Sequence, residues 1–134
     1  MVSRPELEAW AVQAAPWFEN RGASKKASVQ FARLYAYAWA AGLRPNIASV
    51  FRDPDHQRTL QARWDRGDRA GLRARPADPD KSKHSLTGFF GSPASMAIDM
   101  PSDDDRQVAA IARSLGMGTG ESFRQPDPGH YYLS

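Results

Sequence analysis

Three short segments of the chain carry side chains that could hold a metal ion. They are Ser82-Lys83-His84, Ala97-Ile98-Asp99 and Asp127-Pro128-Gly129-His130. Two imidazoles and one carboxylate are a common catalytic zinc set, which leaves a fourth position for water. Asp127 precedes His130 by three residues across a Pro-Gly turn, close enough to reach such a water without binding the metal. The pattern is that of a metal centre with a general base beside it.

The same residues also have a purely structural interpretation. The chain has 134 residues with no cysteine and only three histidines, His56, His84 and His130. The absence of cysteine excludes disulfides, thiolate metal sites, iron–sulfur clusters and thiol catalysis. A lone histidine, however, is more often a hydrogen-bonded residue than a ligand, and Asp-Pro-Gly is first of all a turn. Spacing alone leaves both interpretations open.

Helices and short strands must position these side chains. Apolar residues at helical spacing predict helices over 5–19, 28–41, from Pro54 to Gly67, and between Ser102 and Gly116. Pro16 predicts a kink or an early end of the first helix. The same spacing predicts Trp10, Phe31 and Trp39 in the core.

The strands are expected to be short and to lie after the helices. Apolar, β-leaning runs predict strands at 47–51, 96–100 and 130–133. Helices followed by interspersed strands indicate an α+β fold. We expect one small domain over residues 1–134, in which the N-terminal helices pack on a short antiparallel sheet that carries the zinc site.

Beyond these patterns, the chain resembles a known enzyme family. The run Ser49-Val50-Phe51-Arg52-Asp53-Pro54-Asp55-His56-Gln57 resembles the S-x-Y-R-(S/T)-x-x-x-Q stretch of zinc D-Ala-D-Ala carboxypeptidases and L-alanyl-D-glutamate peptidases. That family continues with S-x-H-x-x-G-x-A-x-D and closes with (D/E)-x-x-H, and similar blocks follow here in the same order over residues 45–133. The chain departs from the family at Phe51, where tyrosine is usual. It also has 15 positions from His84 to Asp99, more than the family motif has.

The resemblance implies roles for particular residues. The implied zinc ligands are His84, Asp99 and His130. Asp127 would be the catalytic acid and base, and Arg52 would be a catalytic residue that binds substrate and neutralises charge on the scissile carbonyl. Two further positions match residues that support the site or bind substrate, namely Gln57 and Ser82.

The resemblance also implies a function. We expect a zinc-dependent peptidoglycan peptidase of the small phage endolysin type, a monomer that hydrolyses the L-Ala–D-Glu bond of the murein stem peptide. A D-Ala-D-Ala carboxypeptidase is the alternative within the family. The N-terminal run MVSRPELEAW lacks the apolar core of a signal peptide, and no run is long enough for a membrane span. We therefore expect synthesis in the host cytoplasm and action on the wall in the periplasm after release, or carriage on a virion, without a separate wall-binding module.

A basic stripe leaves a different class of function open. It consists of Arg58, Arg63, Arg66, Arg69, Arg73 and Arg75, in a chain of net charge +3 and isoelectric point near 9.5. Aspartates lie among these arginines, so the stripe suits a solvated face, and it also suits a patch for an anionic wall polymer. A basic nucleic-acid-binding module would use the same stripe, with salt-sensitive binding and no metal requirement. We rank it lower and expect no nucleic acid partner, because it leaves the histidines and aspartates unexplained.

The insertion between His84 and Asp99 is a further candidate element. Its segment 88–95 carries Phe89 and Phe90 between glycine, serine and proline residues. Because its ends are tied to the implied ligands, we expect it to form a wall or lid beside the substrate. The alternative is that the phenylalanine pair fills the core.

Overall fold

The computed structural model describes residues 2–72, 75–77, 82–87, 92–124 and 126–133. The helices are α1 (Arg4–Glu19), α2 (Lys25–Ala40), α3 (Pro54–Asp65) and α4 (Asp105–Ser114). The strands are β1 (Ala97–Asp99), β2 (Gly118–Thr119) and β3 (His130–Tyr132), and they form one antiparallel sheet in the order β1-β3-β2. The architecture is the small α+β fold predicted from the sequence. No helix of the described segments is long and apolar enough to cross a lipid bilayer.

One hydrophobic core joins the helical hairpin to the sheet. Phe18 of α1 and Phe31 of α2 are buried, and their rings meet edge to face at 6.4 Å. Ile98 of β1 and Tyr131 of β3 belong to the same buried cluster. The strands that carry two of the candidate ligands are therefore held against the N-terminal helices by close packing.

Two expectations about the helices are wrong. The first helix does not end early at Pro16, because α1 continues through it to Glu19. The carbonyl that Pro16 leaves without a donor belongs to Val12, an exposed residue, so solvent can reach it. The spacing predicts Trp10 and Trp39 in the core, but 42% and 43% of their surface is exposed. Both lie beside Tyr35 at the edge of the α1–α2 contact, because the apolar stripe is wider than the buried face.

The sheet register brings Asp99 and His130 together. Strand β3 lies between β1 and β2, and Asp99 at the end of β1 is paired with His130 at the start of β3. Antiparallel partners that face each other have their side chains about 4.5–5.5 Å apart at Cβ. Two residues 31 positions apart in the sequence are therefore neighbours through backbone pairing alone. The third strand, β2, is only two residues long and is not predicted by the sequence pattern.

The predicted strand at 47–51 does not form, yet this segment borders the candidate site. One antiparallel bridge joins Ser49 to Asp99, whose N–H donates to the Ser49 carbonyl at 2.8 Å. Further along, the N–H of Arg52 donates instead to the carbonyl of His84 at 2.9 Å. Because its N–H groups bond to separate parts of the chain, the segment cannot pair with one neighbouring strand along its whole length. It connects β1 to the 3₁₀ turn Lys83–Ser85.

Gly22, in the turn between α1 and α2, packs directly on this segment. Its φ is +97°, and a Cβ built there would lie 2.2 Å from the Cβ of Phe51. We expect Gly22→Ala to lower the free energy of unfolding by about 1–3 kcal/mol through backbone strain alone, with the clash adding to that loss. Denaturant unfolding measures the change.

Gly42→Ala is the matched control for this substitution. Gly42 also has a positive φ, +86°, but nothing lies within 4 Å of the position of its Cβ. It therefore carries the backbone strain without the clash. Equal losses of stability in the two variants would contradict the close packing between Gly22 and Phe51.

Candidate metal centre

Three side chains from three segments converge on one point. His84 comes from the turn Lys83–Ser85, Asp99 from β1 and His130 from β3. Nε2 of His84 lies 3.3 Å from Oδ1 of Asp99, and Nδ1 of His130 lies 3.0 Å from the same oxygen. The two nitrogens are 3.4 Å apart. The three residues implied as ligands by the sequence therefore form one cluster.

The triangle of donor atoms is close to the size that a metal ion requires. Bonds of about 2.0–2.2 Å at tetrahedral angles place neighbouring ligand atoms about 3.3–3.6 Å apart. Two edges of the triangle measure 3.3 and 3.4 Å, and the third, at 3.0 Å, is slightly shorter. Two imidazoles and a carboxylate suit zinc and several other divalent transition metals. The cluster can therefore hold a metal ion, and its donors do not by themselves select which one.

A backbone carbonyl orients His84 toward the centre. Nδ1 of His84 lies 2.7 Å from the carbonyl oxygen of Val50, and the side chain is 3% exposed. With the proton on Nδ1 and donated to this carbonyl, the lone pair of Nε2 is available to a metal. Ser82 supports the same turn, because its Oγ accepts the N–H of His84 at 3.3 Å.

Asp99 is held on both of its carboxylate oxygens. Oδ1 faces the two imidazoles, and Oδ2 accepts a hydrogen bond from Nη2 of Arg52 at 2.8 Å. Burial by itself raises the pKa of the Asp99 carboxyl. With a proton on the ring nitrogens that face it, hydrogen bonds from His130 and His84 outweigh burial and hold that pKa well below its usual range; a bound metal would take the place of these protons. The group is ionised at neutral pH, as a carboxylate ligand must be.

Arg52 is anchored by three side chains. Its Nη1 donates to Oε1 of Gln57 at 2.9 Å, and its Nη2 reaches Oγ of Ser49 at 3.4 Å as well as Asp99. Gln57 is 1% exposed, and its Nε2 donates to the carbonyl of Ala77 at 2.7 Å. The structure thus places Gln57 behind Arg52, where it orients the guanidinium.

We expect Arg52→Lys to weaken metal binding by about 10–100-fold, the usual cost of losing a group that orients a ligand. A lysine ammonium cannot bridge Gln57 and Asp99 with the planar fork of a guanidinium. Titration of the protein against a chromophoric chelator measures the affinity. Arg58→Lys is the control, because Arg58 forms an exposed pair with Asp55. Equal affinities in the two variants would show that Arg52 does not orient Asp99.

Asp127 lies beside the centre without belonging to the triangle. Its Oδ2 is 3.9 Å from Nδ1 of His130. The positive φ of Gly129, +86°, lets the chain turn back between these two residues. A carboxylate at this distance can take a proton from a water at the centre, the role predicted for it from the sequence.

A cavity of about 1100 Å³ opens onto the centre. All three residues of the cluster, Arg52 and Asp127 line it. The rim carries Phe123, whose ring centroid lies 5.5 Å from that of His130. The third histidine, His56, also lines the cavity but is exposed and lies outside the triangle. The volume lies just above the usual range of small-molecule pockets, about 300–1,000 Å³.

Several cavity residues are missed by sequence reasoning. They are Trp17, Arg21, Phe123 and Arg124. One sequence signal could have indicated Phe123 and Arg124 as cavity residues, because both lie a few positions before Asp127. Arg21 has none, since it reaches the cavity only through the packing of the α1–α2 turn on the segment 47–51.

Two sequence expectations concern other parts of the chain. Phe89 and Phe90, the proposed lid residues, lie outside the described residues, as does Arg73 of the basic stripe. Within the stripe, three arginines pair with aspartates: Arg58 with Asp55, Arg63 with Asp68 and Arg75 with Asp65. These pairs favour the interpretation of the stripe as a solvated face whose charges are neutralised within the protein, and not as a nucleic-acid-binding surface.

Comparisons with known proteins do not assign the chain to a family. The chain matches no protein-family model and no curated protein. The resemblance of residues 45–133 to zinc peptidases of the cell wall therefore remains a hypothesis. The function has to be argued from the cluster, the cavity and the charges that surround them.

Proposed function

We propose that this protein is a zinc-dependent peptidoglycan peptidase that hydrolyses the L-Ala–D-Glu bond of the stem peptide. The observation that carries the proposal is the triangle of His84, Asp99 and His130, with edges that suit a tetrahedral ion. The order of the three motif blocks over residues 45–133 supports the peptidoglycan substrate. Removal of the terminal D-Ala is the alternative reaction of the same site.

The ligand set suits the zinc chemistry that amide hydrolysis needs. When bound by His84, Asp99 and His130, zinc would polarise the scissile carbonyl and lower the pKa of a water molecule towards neutrality. The orientation of His84 by the Val50 carbonyl and of Asp99 by Arg52 favours this role. Partners of this kind raise ligand basicity and fix ligand geometry.

Asp127 is the proton carrier of the proposed reaction. As the water oxygen forms a bond to the carbonyl carbon, Asp127 accepts the proton of that water. When the carbon–nitrogen bond breaks, the same carboxyl delivers the proton to the leaving amine. Its position 3.9 Å from Nδ1 of His130 supports this double role, because one carboxylate beside the centre reaches both the water and the amine.

Arg52 supplies positive charge where the carbonyl oxygen becomes negative. Its guanidinium lines the cavity and is fixed by Gln57, Ser49 and Asp99. A preorganised donor of this kind stabilises an oxyanion without the cost of reorientation during the reaction. The proposal thus gives Arg52 two tasks, because it holds Asp99 and also faces the substrate.

The direct test is digestion of purified murein, with mass spectrometry of the released fragments. Cleavage at L-Ala–D-Glu creates a new amino group on D-Glu, whereas a carboxypeptidase releases free D-Ala. We expect the first product, its loss with a chelator, and its return with Zn²⁺. Intact murein after incubation with zinc-loaded, folded protein would overturn the proposal. Salt-sensitive binding to DNA in the same preparation would favour the nucleic-acid alternative.

A further inference from the structure

The side chains that line the cavity include more cations than carboxylates. The lysine and arginine side chains among its lining residues are Arg21, Arg52, Arg63, Arg75, Lys83 and Arg124, and the carboxylates are Asp99 and Asp127. A bound divalent ion would add to the excess. A cleft lined by one sign of charge attracts a ligand of the opposite sign. The cavity therefore favours an anionic substrate.

Most of these cationic side chains already form ion pairs or hydrogen bonds within the protein. Arg52, Arg63 and Arg75 each form an ion pair with an aspartate. The ammonium of Lys83 donates to the carbonyl of Leu133 at 2.7 Å. Asp68 and Asp65 offset the charges of Arg63 and Arg75, and the donors of all four side chains are engaged in holding the fold.

Arg21 is partly engaged as well. Its guanidinium carbon lies 3.2 Å from the centroid of the Trp17 ring, and its Nη1 donates to the carbonyl of Trp17 at 3.1 Å. A guanidinium stacked in this way keeps its charge and loses part of its freedom to approach a ligand. Arg21 is therefore a source of positive potential in the cleft.

Arg124 differs from all the others. Its side chain is exposed, lines the cavity, and forms no hydrogen bond or ion pair with any residue that the structure describes. None of its donors is taken by a residue of the described segments. A guanidinium binds a carboxylate through two parallel hydrogen bonds, which gives both affinity and direction.

Backbone hydrogen bonds hold the residues on either side of Arg124 near Gly120. The N–H groups of Asp127 and Phe123 both donate to the carbonyl of Gly120, at 2.9 and 3.2 Å. The Phe123 ring packs against His130 and Tyr132, with centroid separations of 5.5 and 5.6 Å. Phe123, the neighbour of Arg124, and Asp127 are therefore held by the same carbonyl group. In the proposed reaction, Asp127 gives its proton to the leaving amine.

We propose that Arg124 is a specificity-determining residue that binds a free carboxylate of the substrate, on the residue that supplies the leaving amine. The substrate class is an acidic peptide with a carboxylate next to the scissile amide, as in a γ-linked D-Glu with a free α-carboxyl group. The inference rests on the proposed function, because that function decides on which side of the scissile bond the amine leaves. The availability of Arg124 and the charge of the cleft come from the structure alone.

The test compares two synthetic stem peptides, one with the free D-Glu α-carboxylate and one with a carboxamide there. Binding is measured by calorimetry on the zinc-loaded Asp127→Asn protein, so the result does not depend on cleavage. We expect the carboxylate peptide to bind about 10–100-fold more tightly, as for a charge-assisted pair. Adding Arg124→Gln is expected to remove most of this preference, and Arg124→Lys to restore part of it.

Two control variants separate a direct contact from the general field of the cleft. Arg21→Gln removes a charge from the same cavity and is expected to lower the preference for the carboxylate peptide by a small factor only, because Arg21 acts through the field and not through a contact. Arg106→Gln removes an exposed charge outside the cavity and is expected to change neither affinity. Equal binding of the two peptides, or a preference that Arg124→Gln leaves undiminished in a folded, zinc-loaded protein, would overturn the inference. Failure of murein digestion with the preference intact would overturn the proposed function instead.

Discussion

Replacing His84 with alanine is expected to abolish stoichiometric metal binding and to reduce murein hydrolysis to background. The substitution removes one of three protein ligands, and two remaining ligands hold a metal far more weakly. It also removes the Nδ1 contact with the Val50 carbonyl, 2.7 Å long. Metal analysis by inductively coupled plasma mass spectrometry, together with a turnover assay, measures both losses.

Because His84 is almost fully buried, the loss has to be separated from unfolding. His130→Ala alters a more accessible ligand, whose side chain is 13% exposed, and is expected to give the same loss of metal. His56→Ala is the matched control, since this exposed histidine lies outside the triangle and the variant is expected to keep its metal. Thermal melting shows whether each variant is folded. Full metal content in folded His84→Ala protein would place the site elsewhere.

Replacing Asp127 with asparagine is expected to separate metal binding from catalysis. The amide keeps the shape of the side chain but cannot accept a proton, so turnover should fall by about 10²–10⁴-fold while the metal stays bound. The triangle of His84, Asp99 and His130 is complete without Asp127, which is the physical reason for this separation. Steady-state kinetics and metal analysis on one preparation give both quantities.

Asp103→Asn is the matched control for Asp127→Asn. Asp103 is exposed, lies just before α4 and does not line the cavity. The same chemical change there should leave turnover and metal content unaltered. Loss of metal together with activity in Asp127→Asn would make Asp127 a ligand or a structural residue of the turn, and would remove the proton carrier from the mechanism.

More of the candidate site than of the surrounding fold could be predicted from the sequence. Local pattern singled out the short segments that contain His84, Asp99 and His130, and the resemblance to a peptidase family supplied their role as ligands. The antiparallel pairing of Asp99 with His130 then follows from two short strands in one small sheet. Arg52 was also chosen from its block, but its contact with Asp99 joins residues 47 positions apart and has no local signal.

Other features depend on tertiary contacts that no window of sequence contains. The segment 47–51 has the composition of a strand, but its N–H groups find partners in separate parts of the chain. Trp10 and Trp39 follow the helical spacing of core residues, but the faces of α1 and α2 that meet are narrower than the apolar stripe. Arg124 is notable only for its lack of internal partners among the described residues, which requires the three-dimensional arrangement.

X-ray absorption spectroscopy at the zinc edge of the zinc-loaded protein is the most direct test of the central claim, a metal centre at His84, Asp99 and His130. We predict four nitrogen and oxygen ligands at about 2.0–2.2 Å, with the outer-shell scattering of two imidazoles. Both imidazole contributions should disappear from any zinc that remains in a His84→Ala, His130→Ala double variant. A zinc environment of oxygen ligands alone in the wild-type protein, or an unchanged imidazole signal in the double variant, would contradict the account.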